Sequence, residues 1–258
     1  MDLAWTIGVL CFAGMAAGAG ISFAGMSAAV IISPILVAFL GIDPYLAIGI
    51  ALTCDVFASA TSAYTFGKNG NLDIRNGLIM MASVLVFTVV GSIISSFVPA
   101  ASLGSLILIV TLVLGIKFLV RPVTATKESM SETSPRKRAL QSVVLGSLAG
   151  IICGFVGAGG GMMMLFVLTT VLGYELKTAL GTSLFIMAFS ALIGAGSHFI
   201  IGGMPDLLVT AVCAGFTLVW AKIAAIFANK ASQKTLNRAT GGILVAEALI
   251  VLAFKYLL

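Results

Sequence analysis

The sequence contains very little charge. Asp, Glu, Lys and Arg make up only 9% of its 258 residues, whereas 60% are hydrophobic, and the mean hydropathy is +1.19. Soluble domains carry roughly 25% charged residues, so a soluble globular fold is excluded. The net charge of +5 does not indicate a nucleic-acid partner, because the basic residues are scattered through loops between apolar runs. The chain is therefore predicted to be an all-α integral membrane protein whose surroundings are the lipid bilayer.

Motifs for redox, metal or nucleotide chemistry are also scarce. The four cysteines lie within apolar runs and form no C-x-x-C pair, which favours small buried hydrophobic groups over metal ligands. No Gly-Lys-Ser/Thr follows the glycines of 157–161, and Met162 stands where a dinucleotide fingerprint needs glycine. The N-terminal MDLAW lacks a basic segment, so no cleaved signal peptide is expected. We predict no catalytic residue, no metal and no cofactor.

Long apolar runs predict the membrane-spanning helices. Six stretches allow about the 20 residues that a bilayer requires: 44–67, 74–98, 102–120, 176–201, 206–228 and 238–257. The stretches 3–41 and 139–172 are apolar too, but glycines interrupt both. Their second parts, 28–41 and 162–172, reach only about 21 and 16 Å. Each stretch is therefore predicted to form a helix, a glycine-rich break near the membrane midplane, and a half-helix that returns to its starting side.

The two interrupted stretches belong to an internal repeat. A shift of 132 residues pairs Gly18 with Gly150 and Gly49 with Gly181, and many other positions match as well. The chain is thus predicted to be two transmembrane repeats, 1–121 and 139–258, joined by a polar cytoplasmic linker, 122–138. Each repeat would consist of a broken helix hairpin followed by three spanning helices.

The basic residues predict the orientation of the repeats. Alternating the loops places 13 of the 14 Lys and Arg residues on one side, with Lys255 as the exception. By the positive-inside rule that side is cytoplasmic, and both termini face outward from the cell (inner) membrane. The first repeat then starts outside and the second inside, so the repeats are inverted. Inverted repeats with broken helices are typical of secondary transporters, which bind substrate at the repeat interface.

The glycine breaks are the predicted substrate site. A half-helix that starts at membrane depth exposes backbone N–H groups and the positive end of its dipole, which attract an anion. By contrast, Gly14 and Gly18, and likewise Gly146 and Gly150, have the spacing of close helix packing. The predicted substrate-binding residues are Ser22, Gly25, Ser27, Gly157, Ala158, Gly159, Gly160, Gly161, Thr182 and Ser183.

Four ionisable residues are further candidates. Asp55 lies near the middle of its predicted helix, where an ionised carboxylate is costly, and the repeat pairs it with Met187. It is interpreted either as a proton carrier or as a hydrogen-bonded structural acid, and Glu247 could do the same work. His198, near the outer end of its helix, is a candidate gate. Lys222 is a candidate anion contact, or a cation that reaches the membrane interface.

Several segments resemble one family of permeases. GFVGAGGGMMMLFVL followed by LKTALGTSLF, and DPYLAIGIALTCD followed by TFGKNGNLD, resemble the sulfite exporter TauE/SafE family over essentially the whole chain. The resemblance implies a transporter of sulfite or a small organosulfonate anion, often acting as an exporter. The first repeat carries AGMSAA where the family often has a glycine run, so an asymmetric site is expected.

Two other functions stay open at this point. Asp55 and His198 could serve an intramembrane enzyme, although no nucleophile motif accompanies them, and the chain could be a non-transporting scaffold. The leading hypothesis is a secondary transporter that works by alternating access and is coupled to protons. The sequence leaves open the anion, the direction, the coupling ion and whether two copies form a homodimer.

Overall fold

The fold consists of ten helices within the residues that the structure, a computed structural model, describes: 3–95, 100–127, 135–156 and 160–257. They are α1 (Leu3–Ala24), α2 (Ala28–Leu40), α3 (Pro44–Lys68), α4 (Ile74–Ser95), α5 (Ala100–Val120), α6 (Pro135–Val156), α7 (Gly160–Phe166, continued by a π-helical turn over Val167–Val171), α8 (Leu176–Gly202), α9 (Leu207–Lys230) and α10 (Gln233–Leu257).

The prediction of an all-α membrane protein is confirmed. Six of the described helices, α1, α3, α4, α8, α9 and α10, are long and apolar enough to cross a membrane. Two boundaries differ from those expected. Helix α6 begins at Pro135, inside the predicted linker, and α10 begins at Gln233 instead of 238. The earlier start of α10 follows from Ser232, whose hydroxyl accepts the Thr235 N–H at 3.1 Å and caps the helix.

The first broken hairpin has the predicted course. After α1 the chain turns at Gly25, whose φ of +65° favours glycine, and Ser27 caps α2 by accepting the Ala29 N–H. Helix α2 has 13 residues and ends at Gly41 in the left-handed conformation. The Trp5 indole N–H donates to the Phe39 carbonyl at 3.4 Å, so the end of α2 lies beside the start of α1.

The helix ends gather at two faces of the bundle. The basic face consists of the helix ends at 68–75, 121–127, 170–177 and 229–234, which hydrogen bonds join to one another. The opposite face consists of 39–45 and 198–206, where the Tyr45 and His198 rings stack with centroids 4.3 Å apart. Helix α2 ends at the opposite face, whereas α7 ends at the basic face, since Thr170 accepts from Lys117 at 2.7 Å.

Glycines bring the helices of the two halves into close contact. A Cβ at Gly18 would lie 2.6 Å from the Ala221 nitrogen of α9, and a Cβ at Gly150 would lie 2.6 Å from the Val84 carbonyl oxygen of α4. The packing role predicted for Gly14, Gly18, Gly146 and Gly150 is confirmed, because each faces backbone of α9 or α4 within 3.1 Å. Helices α3 and α8 pack against each other along the centre of the bundle.

The start of the predicted linker is fixed to α10. Val123 donates its N–H to the Asn237 side chain at 2.8 Å, and the Gln233 amide donates to the carbonyls of Val123 and Ala125. These bonds satisfy backbone N–H and carbonyl groups that follow the end of α5 and would otherwise be unpaired. Residues 121–127 are therefore part of the basic face and belong to the packed structure.

Candidate functional site

The turn at Gly25 touches the start of α7 at the centre of the bundle. A Cβ on Gly161, at the start of α7, would overlap the Gly25 carbonyl oxygen and the Met187 sulfur. A Cβ on Gly25 would lie 3.4 Å from the Gly161 carbonyl oxygen and 3.5 Å from the Ser183 hydroxyl. Only glycine at both positions lets the two backbones approach this closely. Three predicted site residues, Gly157, Ala158 and Gly159, lie outside the described residues.

The side chain of Asp55, on α3, contacts the start of the first half-helix, α2. Its side chain is 1% exposed, and its two oxygens accept from the Ser27 hydroxyl at 2.5 Å and from the Ala28 N–H at 2.6 Å. A carboxylate at a helix N-terminus is stabilised by the helix dipole as well as by these bonds. The amides that begin α2 are therefore not bare, which corrects the expectation that both breaks present free amides to an anion.

The equivalent position in the second half holds no carboxylate. A shift of 132 residues pairs Asp55 with Met187, and the Met187 sulfur lies against Gly161 at the start of α7. A thioether is at most a weak acceptor, so Met187 brings no negative charge to this helix end. Within the described residues, a carboxyl group of the chain therefore caps the start of α2, whereas none caps the start of α7.

A cavity of about 420 Å³ connects this centre to the opposite face. Ser27, Asp55, Gly160 and Met187 line its inner part, and α8 continues the wall as far as His198. The polar groups of the wall besides Ser27 and Asp55 are Thr88, Ser190, Ser197 and His198. No Lys or Arg side chain is among the described lining residues, so the imidazole of His198 is the one basic group there.

The remaining predicted residues fall into two groups. Ser22 and Ser183 lie at the centre but use their hydroxyls internally, Ser22 by donating to the Ala221 carbonyl at 2.8 Å and Ser183 by donating to the Leu180 carbonyl at 3.0 Å. Lys222 is exposed and away from the cavity. Glu247 is buried on α10, also away from the cavity, and one carboxylate oxygen has no partner within the described part of the chain.

Loop 69–73 closes the basic face. Asp73 donates its N–H to Thr182 at 3.1 Å, and its carboxylate accepts from the Tyr174 hydroxyl at 2.8 Å. Asn71 donates to Asn229 at 2.7 Å, and the Asn71 carbonyl packs directly on Gly181. Residues of the first half are thus fastened to α8, to α9 and to the loop before α8. Thr182, predicted to contact substrate, holds this loop by accepting the Asp73 N–H.

The corresponding loop on the opposite face makes no such closure. Residues 203–206 are mostly exposed, with Met204 at 67%. Gly49, the repeat partner of Gly181, faces the Phe199 ring at 3.2 Å and no loop backbone. The bundle is therefore sealed at the basic face, while its cavity extends to the opposite face.

Substitution of Gly181 with alanine tests the closure. The new Cβ would overlap the Asn71 carbonyl oxygen and lie 2.8 Å from the Phe66 Cβ, so the loop has to move away from α8. Overpacking of this kind costs about 1–3 kcal/mol, and we expect a lower melting temperature in detergent. Gly196→Ala is the matched control on the same helix, since nothing lies within 4 Å of its Cβ. Equal melting temperatures for the two variants would contradict the closure.

The closing residues were not singled out from the sequence. By composition, the closing residues are ordinary loop and helix-end residues: Asn71, Tyr174 and Asn229. The contact between Asn71 and Asn229 could not be predicted, because 158 positions separate them. The G-N-x-D turn at 70–73 was the available signal. Among the described residues, no group of three His, Cys, Asp or Glu side chains could hold a metal ion.

The fold and the cavity define a multi-pass membrane protein with a sealed and an accessible face. The sequence profile of the sulfite exporter TauE/SafE family matches residues 10–251, and the chain belongs to this family of membrane transporters.

Two relatives support the assignment. The chain is 25% identical over 250 residues to the probable membrane transporter protein YunE of Bacillus subtilis (strain 168), covering 88% of this chain and 90% of the relative. It is 26% identical over 220 residues to the probable membrane transporter protein YdhB of the same organism, with 85% and 89% covered. No solved structure matches the chain.

Proposed function

We propose that this protein is a secondary transporter for sulfite or a small organosulfonate anion. The observation that carries the proposal is the difference between the two breaks. Asp55 caps the start of α2 through Ser27 and Ala28, whereas the start of α7 has Met187 in the equivalent place. A helix N-terminus at membrane depth attracts negative charge, so the anion at α7 has to come from the cavity. A transported oxyanion meets this requirement.

The cavity suits a small oxyanion in size and in chemistry. Its volume of about 420 Å³ lies within the usual range of small-molecule sites, about 300–1,000 Å³. Gly160 opens onto it at the start of α7, whereas Ser190 and Ser197 along α8 already donate their hydroxyls to the carbonyls of Met187 and Ile193. His198 supplies a basic group near the mouth. The anion would enter past His198 and bind at the start of α7, beside Gly160 and across the cavity from Asp55.

Proton coupling is assigned to Asp55. Ionised, its carboxylate accepts the Ser27 and Ala28 hydrogen bonds. A proton removes both the negative charge facing the bound anion and one acceptor at the start of α2. Protonation therefore lowers the repulsion between Asp55 and substrate, so a proton and an anion favour each other's binding. The other ionisable groups near Asp55 are the thiols of Cys54 and Cys213 and, along the cavity, Cys153 and His198.

Alternating access follows from the arrangement of the two halves. The turn before α2 and the start of α7 meet at Gly25 and Gly161, but the two helices end at opposite faces, as expected for inverted repeats 1–121 and 139–258. Rocking of one repeat against the other would open loop 69–73 and close the cavity near His198. We place the basic face in the cytoplasm and both chain ends outside the inner membrane, by the positive-inside rule.

Flux into proteoliposomes tests the transport function. Labelled sulfite, and separately a small sulfonate such as taurine or sulfoacetate, is offered with and without an inward proton gradient. We expect uptake above that of empty liposomes, accelerated several-fold by the gradient. No uptake of any of these anions under either condition would overturn the proposal.

The Asp55→Asn variant tests the coupling. Asparagine keeps the size of the side chain and can still accept the Ala28 N–H, so we expect folded protein whose uptake no longer responds to the proton gradient. Glu247→Gln is the parallel variant of the other buried acid. A gradient response that survives Asp55→Asn, or one that disappears in Glu247→Gln alone, contradicts the assignment of protons to Asp55.

A further inference from the structure

A second pocket lies at the basic face, behind loop 69–73. Its volume is about 430 Å³, and it is shallow and open to the surroundings. Its wall comes from the loop and the start of α4, from the linker and from the start of α8, and consists of Gly70, Leu72, Asp73, Ile74, Arg75, Lys127 and Thr178. Residues from both halves of the chain therefore build it.

Two cations from different segments line this pocket. The Lys127 ammonium donates one bond to the Gly70 carbonyl at 3.0 Å, which fixes its position and leaves its other two N–H donors free for a ligand. The exposed Arg75 guanidinium has no hydrogen-bond or ion-pair partner in the part of the chain that the structure describes. A planar guanidinium with free donors binds oxyanions in a bidentate manner.

Within the described residues, the acidic groups near the pocket already accept hydrogen bonds. The Asp73 carboxylate accepts from the Asn76 N–H, the Asn76 side-chain amide and the Tyr174 hydroxyl. Glu175 accepts from the Thr178 hydroxyl at 3.3 Å. These three donors stabilise the Asp73 carboxylate without neutralising it. Among the described lining residues, the two cations Arg75 and Lys127 outnumber this one carboxylate.

Helix α8 contributes residues both to the pocket and to the centre of the bundle. Thr178 lines the pocket, Thr182 holds loop 69–73, and Ser183 contacts the Gly25 break. The five residues from Thr178 to Ser183 correspond to about 7.5 Å along α8. Only the loop and about one and a half helical turns therefore separate the pocket from the contact between the Gly25 turn and the start of α7.

We propose that Arg75 and Lys127 form an anion-binding subsite at the basic-face mouth of the transport path. The subsite takes small oxyanions such as sulfite, sulfate and sulfonates, and it holds them where loop 69–73 opens. The cavity at the opposite face contains no Lys or Arg among its described lining residues, so the basic face has the stronger electrostatic capture of anions. The place of the subsite on the path rests on the proposed transport function, whereas oxyanion binding to the pocket does not.

A labelling experiment tests the binding without relying on transport. Ile74 is 55% exposed and lines the pocket, so an Ile74→Cys chain carries a reporter thiol. Its reaction with uncharged N-ethylmaleimide is followed during a titration with inorganic sulfate at constant ionic strength. Labelling of the chain without the reporter is subtracted. We expect saturable protection by sulfate, and at least a tenfold higher half-protecting concentration in Arg75→Gln/Lys127→Gln.

Lys230→Gln/Lys234→Gln is the matched control. These lysines are exposed at the same face but do not line the pocket, and the variant removes the same charge. It should leave the sulfate titration unchanged. Protection that is absent, unsaturable or equally weakened by both double variants would overturn the subsite. Absent protection means that sulfate does not bind beside Ile74, and the other two outcomes indicate a general effect of surface charge.

Transport in vesicles of one orientation tests whether the subsite belongs to the path. For sulfite entering from the basic face, we expect the Arg75→Gln/Lys127→Gln variant to show a KM several-fold above that of the unaltered protein. An unchanged KM, with sulfate protection intact, would overturn the subsite's place on the path. Lack of sulfite transport by the unaltered protein would instead count against the proposed function, and the labelling result would still decide the binding.

Discussion

Replacing Met187 with aspartate is expected to abolish anion transport while leaving the protein folded. The new carboxylate would stand at the start of α7, as Asp55 stands at the start of α2. It would supply from within the chain the negative charge that we assign to substrate. Uptake of labelled sulfite into proteoliposomes should fall to the level of empty liposomes, because the anion meets a like charge in its own site.

Two further variants show whether charge causes the loss. In Met187→Asn the new side chain has nearly the size and shape of aspartate but carries no charge. Met187→Leu keeps the apolar contact with Gly161. We expect both to retain a substantial part of the uptake, and a melting temperature measured in detergent should show all three to be folded. If Met187→Asp transports as well as Met187→Asn, the start of α7 is not the anion site.

Replacing Gly161 with alanine is expected to give the largest loss of stability among single substitutions at the site. Its Cβ would overlap the Gly25 carbonyl oxygen and the Met187 sulfur. The sulfur ends a flexible side chain and can move, but the carbonyl belongs to a backbone turn with φ of +65°. We expect a loss toward the upper end of the usual overpacking range, about 1–3 kcal/mol, and a clear fall in melting temperature.

Gly160→Ala is the control for this prediction. It lies one residue earlier in α7, and its Cβ would meet only the Cys153 sulfur at an ordinary 3.6 Å. Both substitutions gain similar helix propensity, about 1 kcal/mol, so their difference measures the clash. The double variant Gly161→Ala/Met187→Ala removes the sulfur contact and should remain unstable. Recovery of its melting temperature to that of Met187→Ala alone would show that the two backbones do not meet as described.

The lack of symmetry between the two halves is central to this interpretation. Both halves have the same order of helices, yet Asp55 corresponds to Met187, and loop 69–73 is fastened to α8 whereas 203–206 is exposed. If the two breaks were identical, both would attract an anion or both would be capped by a side chain of the protein itself. With one of each, the transport that we propose places a single substrate anion at the centre, together with one acid to which we assign the proton.

The sequence predicted the fold well because the membrane imposes simple rules. Backbone polar groups have to be satisfied within each span, so apolar length alone located α3, α4, α8 and α9 closely. The short second parts of the interrupted stretches predicted α2 and α7. Boundaries at the aqueous ends were less accurate, since capping by Ser232 and the proline at Pro135 extend α10 and α6 into polar sequence.

The sequence by itself determined the class of protein, the broken helices, the glycine packing positions and the importance of Asp55 as a candidate. Only the tertiary structure decided which residue meets which: Asp55 with the start of α2, Gly25 with Gly161, and Asp73 with Thr182. The physical reason is that hydropathy and glycine content act locally along the chain. Contacts between residues 109 positions apart, such as Asp73 and Thr182, depend on how whole helices pack.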